Sequence, residues 1–288
     1  MIVSLVRRLA GRSSNPYSVY RKTIELIPVQ DQRMSKWYAS KKIFFIVSTG
    51  RTGTKWLSQL LNGSDRALVE HEPIPIETWA HKESALDLAA AVRYIKQFRR
   101  KEIYLRVAKR CPKIKIYGEV NGILRRHIEP ILECIPGAVL VHLVRDGRDV
   151  VRSVISRGVY SGNHPVYYDF QPPAVDEYTE RWNELSEFEK ICWLWQWENG
   201  YMRQHINQRA RFEDIISSYT LFRNQILEPL GLALKESVWQ VSIRQPENAT
   251  KTYAISTWDD WMPAQQAQFI RICGQEMRAY GYEIPGDG

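Results

Sequence analysis

The sequence predicts a three-layer α/β fold in which a mostly parallel central sheet is flanked by helices. Three observations carry this. Residues 41–50, KKIFFIVSTG, hold five consecutive apolar residues from Ile43 to Val47, and residues 137–144, GAVLVHLV, are nearly all apolar. Such runs suit parallel strands buried on both faces. Strand patterns and helix patterns alternate along the chain, as a sheet covered on both sides requires. The chain has 288 residues, near the upper size for one hydrophobic core.

In order, residues 1–40 read as an N-terminal extension packed on the domain, with a candidate helix over 18–27. Residues 41–288 read as a single α/β domain. The strand at 43–47 ends in Ser-Thr-Gly, and a helix follows over 54–62, closed by Gly63. Residues 67–73 form a short second strand, stopped by Pro73 and Pro75. Ser84 with Asp87 three residues on suggests a capping pair for a helix running toward Arg100. Residues 113–120 alternate and are β-branched, giving a third strand that leads into a helix over 124–134. Residues 137–144 are the clearest strand and feed a helix over 147–157. A helical pattern covers 175–208, with Tyr178, Trp182, Leu185, Phe188, Cys192 and Trp195 at three-to-four spacing. A late strand over 209–215, a helix over 221–230 ending at Gly231, and an amphipathic helix over 263–280 complete the chain.

Composition narrows the partners. Forty Lys and Arg against thirty-two Asp and Glu give a net charge of +8, which favours anionic ligands. The excess is interspersed with acidic residues, so there is no basic tail of the kind that coats a duplex. On charge alone nucleic acid, nucleotides and anionic lipid all stay open. A discrete phosphate-reading site explains the excess equally well, and nucleic acid is not expected as the partner. No apolar run reaches the roughly 18–20 residues of a membrane span, and the apolar start is cut by Arg7 and Arg8. Cys111, Cys134, Cys192 and Cys273 are too widely spaced for a metal or redox motif. These features read as a cytoplasmic protein with reduced thiols. They leave its oligomeric state undefined.

Ligands of open α/β sheets bind at the carboxyl ends of strands, which directs attention to STGRTGTKW (48–56). Gly50 and Gly53 allow a tight turn, and the helix N-terminus beyond it presents amides to an anion. Arg51, Thr52, Thr54 and Lys55 add cations and hydroxyls. The turn is of the P-loop nucleotide-binding type, but it departs from GxxxxGK[ST]. Thr54 follows Gly53, and Trp56 replaces the magnesium-binding hydroxyl residue. ATP chemistry is therefore disfavoured. A second anion site is suggested by Arg145 at the end of the strand in LVHLVRDGRDVVRSVISRG (140–158). Ser153, eight positions later, lies a little over two turns along a helix of about 3.6 residues per turn. An Arg fork and a Ser hydroxyl can face one terminal phosphate.

Together these segments resemble the sulfotransferase family, whose sulfuryl donor is 3′-phosphoadenosine 5′-phosphosulfate. Arg51-Thr52-Gly53-Thr54-Lys55-Trp56 is similar to its 5′-phosphosulfate loop, and Arg145 and Ser153 match its 3′-phosphate motif. RFEDI (211–215), LGL (230–232) and the closing Tyr280-Gly281-Tyr282 resemble later family elements. The resemblance implies that Gly50 through Trp56, with Arg145 and Ser153, bind the donor. It also implies that Trp56 contacts the adenine and that adenosine 3′,5′-bisphosphate is the product. Lys55 stands where the loop's second Thr is usual. The Arg-Lys-Gly clamp of cytosolic phenol- and steroid-type members is missing, which moves the likeness toward carbohydrate-type and bacterial members.

Sulfuryl transfer resembles phosphoryl transfer and runs in line between two oxygens. Arg51 and Lys55 can neutralise the leaving phosphate, so no metal is expected. An acceptor hydroxyl benefits from a general base. Glu72 in Glu70-His71-Glu72-Pro73 leads, because carbohydrate-type members carry a similar Glu-Pro. His71 is second and Glu119, beyond the third strand, is third. Side chains 71 and 72 point to opposite faces if the strand continues, so one of them should reach the crevice. Trp193, Trp195 and Trp197 read as core, and His127, His142, His164 and His205 as structural. The function expected is transfer of a sulfuryl group to a hydroxyl of a carbohydrate, lipid or small-molecule acceptor. A P-loop nucleotide or small-molecule kinase and a non-enzymatic nucleotide- or anion-binding protein are the alternatives. Residues 73–110 and 158–200 are expected to build the acceptor pocket, but their composition does not name the acceptor.

Overall fold

The computed structural model describes residues 16–74, 77–160, 170–245 and 252–285. Five strands form one parallel sheet: β1 (Lys42–Val47), β2 (Ala67–His71), β3 (Ile116–Val120), β4 (Val139–Val144) and β5 (Arg209–Arg211), in the order β2-β3-β1-β4-β5. β1 lies at the centre, and its alternation distributes side chains to two cores. Ile43, Phe45 and Val47 pack on one face, while Phe44 and Ile46 pack on the other. A strand buried on both sides must be apolar throughout, which is why the run at 43–47 is continuous.

On the first face lie α1 (Pro16–Leu26) and α2 (Asp31–Ala39), then α4 (Thr78–Leu86), α5 (Leu88–Arg93), a π-helical turn (Tyr94–Arg99) and α6 (Arg100–Val107). The N-terminal helices contribute Ile24, Met34 and Tyr38 to this core. The helical region after β2 begins earlier than expected, at Thr78. Ser84 lies inside α4 and bonds the Ala80 carbonyl and His127. Asp87 is itself the cap: its carboxylate accepts from the Ala89 amide at 2.8 Å and starts α5.

The other face carries α3 (Thr54–Leu61), α10 (Phe212–Ser217), α11 (Tyr219–Phe222), a second π-helical turn (Arg223–Leu227) and α12 (Glu228–Leu230). β3 leads through a 3-10 turn (Gly122–Arg126) into α7 (Ile128–Cys134). A third core joins α8 (Gly147–Ile155), α9 (Glu187–His205) and α14 (Pro263–Ala279). α9 starts only at Glu187, behind a Ser186–Glu189 capping box, so the helical spacing upstream lies in turns. β5 is shorter than its sequence pattern because Phe212 already begins α10. α13 (Glu236–Ile243) was not expected from the sequence pattern. All four cysteines are free thiols. Among the described residues no helix is long and apolar enough to cross a membrane.

Candidate functional site

The connection from β1 crosses to the β2-β3 side, and the chain later emerges from β4 on the other. The carboxyl ends of β1 and β4 therefore flank the crevice where an open sheet binds ligands. The loop after β1 carries three left-handed residues, Gly50 (φ 84°), Arg51 (φ 58°) and Gly53 (φ 75°). Gly53 caps α3, and a Cβ there would lie 2.3 Å from the Phe212 ring. Conformation and close approach together demand glycine. Within this cradle Thr52 is fully buried, and its hydroxyl makes no hydrogen bond among the described residues.

The Arg145 turn sits beside it. Arg145 donates from Nη1 to the Arg51 carbonyl at 3.1 Å and from Nη2 to Asp149 at 2.7 Å. Its Nε is buried without a hydrogen-bond partner among the described residues. Arg51 Nε donates to the Ser153 hydroxyl at 2.8 Å, so the two anion motifs, 102 residues apart in sequence, meet at one end of the sheet. Asp146 caps α8 through the Arg148 amide and pairs with the Arg148 guanidinium. The orphaned Thr52 hydroxyl, the orphaned Arg145 Nε and the glycine cradle suit an anionic group. Lys55 is exposed at the start of α3. Trp56 is buried, donates from Nε1 to the Ser242 carbonyl and meets Phe212 edge-on at 6.2 Å.

The third part of the site lies at the end of β2. The strand stops at His71, and Glu72 takes a left-handed φ of 39°. The premise that alternation continues through Glu72 therefore fails, and both side chains meet the site. His71 Nε2 is 3.0 Å from the Thr54 hydroxyl. The Glu72 carboxylate lies against Gly122, where a Cβ would stand 3.1 Å from the Ser48 carbonyl and 3.5 Å from Glu72 Oε1. Burial and then Lys55 push the His71 imidazole below its ordinary value. Burial and then Glu77 push the Glu72 carboxyl up, against Arg125 and the Gly122 amide. Glu119 requires correction as a candidate base. It lies within β3, fully buried, and bonds Arg99, Tyr117 and Asn121, so it belongs to a structural ion network.

Two contributors were missed at the sequence level. Glu213 in RFEDI accepts the Asp146 amide at 3.0 Å and the Tyr282 hydroxyl at 2.8 Å, buttressing the Arg145 turn from α10. Phe212 packs on Gly53, Trp56 and Arg145 at once. The RFEDI and Tyr-Gly-Tyr segments gave a family likeness, but neither disclosed that they touch. Trp193 and Trp195 are core residues, as expected, while Trp197 stacks on Trp193 and carries the Arg126 guanidinium 3.3 Å from its ring centroid. His127 and His142 are buried in hydrogen bonds to Ser84 and Asn199, and His205 contacts the Tyr201 carbonyl. His164 lies outside the described residues.

The fold is an α/β sheet with two arginine-bearing turns joined at one end of it. Residues 44–236 match the sulfotransferase family, and the chain belongs to that family. Among solved structures it is similar to the sulfotransferase domain from the curacin biosynthetic pathway, with a TM-score of 0.51 and 14% identity over 85% of this chain and 99% of that one. It is also similar to sulfotransferase STF9 from Mycobacterium avium, with a TM-score of 0.50 and 12% identity over 99% and 97% of the two chains. No curated protein matches it.

Proposed function

We propose that this sulfotransferase moves the sulfuryl group of 3′-phosphoadenosine 5′-phosphosulfate to a hydroxyl of a carbohydrate, lipid or small-molecule acceptor. The observation that carries the reading is the Arg51–Ser153 contact, which sets both anion motifs at one sheet end. Gly50 to Lys55 would receive the phosphosulfate, Arg145 and Ser153 the 3′-phosphate, and Trp56, beside Phe212, would border the adenine. The bound donor supplies the sulfuryl group and departs as adenosine 3′,5′-bisphosphate. Arg51 and Lys55 offset the negative charge that gathers on the leaving phosphate, and the cradle holds it in line with the acceptor oxygen.

Glu72 takes the acceptor proton in this scheme. Burial and Glu77 raise its pKa, which strengthens it as a base. His71, its pKa pushed down by burial and its ring engaged with the Thr54 hydroxyl, orients that loop hydroxyl instead. The expected result is a rise in melting temperature with adenosine 3′,5′-bisphosphate in the absence of metal, about 2.7 kcal/mol of stabilisation at a hundredfold excess over Kd. ATP with magnesium should give little, and equal shifts would favour a kinase. Glu72→Gln should retain the bisphosphate shift and lose at least about a hundredfold in sulfuryl transfer from labelled donor to a panel of hydroxylated acceptors. Full activity in that variant would remove Glu72 from the mechanism.

A further inference from the structure

We propose that Arg125 is a positioning residue for Glu72, fixing the carboxylate over the phosphate loop through the Gly122 backbone that both of them touch. The inference rests on the reading of Glu72 as the base. Arg125 Nη1 donates to the Gly122 carbonyl at 2.7 Å, and the Glu72 carboxylate lies against Gly122, its Oε1 3.5 Å from where a Cβ would stand. Gly122 is thus held from both sides, and it abuts the Ser48 carbonyl at the entrance of the loop. Any side chain there would press on Glu72 and Ser48 together. A displacement of the 3-10 turn would therefore move the base relative to the sulfuryl cradle.

Arg125 is itself anchored. It is 5% exposed, and its Nε lies 3.2 Å from Glu198 of α9. Arg126 approaches the other oxygen of Glu198 at 2.8 Å. His81, adjoining the same carboxylate at 3.5 Å, is pushed down to about 4 by burial and by Arg125, and stays neutral. Two guanidiniums against one carboxylate leave one positive charge in this buried group. Glu72 is the carboxylate that faces it.

The other groups around Glu72 argue for the same division of labour. Glu77, just ahead of α4, is held by Tyr94, Arg99 and Asn121 and sets a negative charge against Glu72. His71 precedes Glu72 on β2, with Lys55 of α3 beyond it. Burial and Glu77 favour the protonated carboxyl, while Arg125 and the Gly122 amide favour the carboxylate. Without Arg125 the balance would shift toward the protonated carboxyl, the form that cannot accept a proton.

The test needs no acceptor. In protein labelled with 13C at the glutamate carboxyls, the resonance lost in Glu72→Gln reports the Glu72 titration, and hydrolysis of the donor by water reports turnover. In Arg125→Gln the midpoint should rise by about one pH unit, and hydrolysis below the wild-type midpoint should fall about tenfold. At high pH the rate should recover but stay several-fold below that of the wild type, because the positioning contact to Gly122 is lost. Bisphosphate affinity should stay within about threefold, since Arg125 touches neither anion motif. Arg125→Lys keeps the charge and should restore the midpoint while turning over several-fold more slowly. An unmoved Glu72 midpoint in an Arg125→Gln protein that binds the bisphosphate overturns the assignment. Should that variant not bind, the Lys variant decides, and a wild-type rate there overturns it. If instead Glu72→Gln turns over normally, the base reading itself fails, an outcome separable from the first.

Discussion

At the scale of single residues, the site depends on backbone conformations that side chains rarely tolerate. Arg51 and Glu72 both have positive φ without being glycine, and each stands at the proposed site, the kind of place where such strain clusters. Gly53 shows how narrow the choice is. A methyl there meets Phe212 at 2.3 Å and must also adopt φ 75°. Gly53→Ala should cost about 3 kcal/mol of stability by urea denaturation, and the melting-temperature shift with bisphosphate should vanish. A Gly53→Ala protein with normal stability and a normal shift would show that the cradle is not built as described. The types of residue at this turn were legible in STGRTGTKW because glycine and hydroxyl residues announce a tight anion turn. The turn at Glu72 was not, since nothing local in EHEP reveals a left-handed residue.

At the scale of elements, the strand-helix junctions do the positioning. The Arg145 turn is held by its own Asp146 cap and, across 67 residues of sequence, by Glu213 of α10, which also takes the Tyr282 hydroxyl. Glu213→Ala leaves the Asp146 amide without this acceptor and frees the turn. The expected result is a loss of about 1–2 kcal/mol in stability and roughly tenfold weaker bisphosphate binding by calorimetry, worth about 1.4 kcal/mol. Tyr282→Phe, which keeps the carboxylate, should change binding less than about threefold. Unchanged binding in Glu213→Ala would reduce RFEDI to a packing element. Strands and major helices could be placed from hydropathy, whereas the start of α4 and the true cap at Asp87 could not. Several short helices run on from one another through the π-helical turn there, and periodicity does not mark such joints.

At the scale of the whole molecule, buried charge is concentrated on one side of the sheet. Arg99 is fully buried among Glu77, Glu102 and Glu119, and Arg125 and Arg126 enclose Glu198. Three histidines are buried neutral: burial pushes His81 to about 4 and His142 to about 3, and burial with His81 pushes His127 well down. In the unfolded chain imidazoles titrate near 6.5. Between that value and the folded ones the unfolded state binds more protons, so stability falls as the solution is acidified through pH 6.5. Each group contributes up to about 1.4 kcal/mol per pH unit. Glu198 is held well below the ordinary range because Arg125 and Arg126 outweigh its burial. Its stabilisation is therefore present above about 4.5 and lost only at lower pH. The raised Glu72 acts in the opposite sense. Urea midpoints at pH 7.5, 6.5 and 5.5 should decline, and His142→Gln should decline less steeply. A flat profile would contradict neutral burial of these imidazoles.

What the chain determined by itself was the order of strands and helices, the parallel central sheet and the two arginine-bearing turns at strand ends. Each of these depends on residues close in sequence: apolar runs long enough for a buried strand, glycines at a turn, an Arg at a strand end with a Ser eight positions on. What only the tertiary structure decided is how those turns meet. The Arg51–Ser153 contact joins positions 102 residues apart, Glu213 reaches Asp146, and Glu119 turns from a candidate base into a partner of Arg99. Burial and long-range charge set the chemistry of a carboxylate, and both arise only when distant segments pack together.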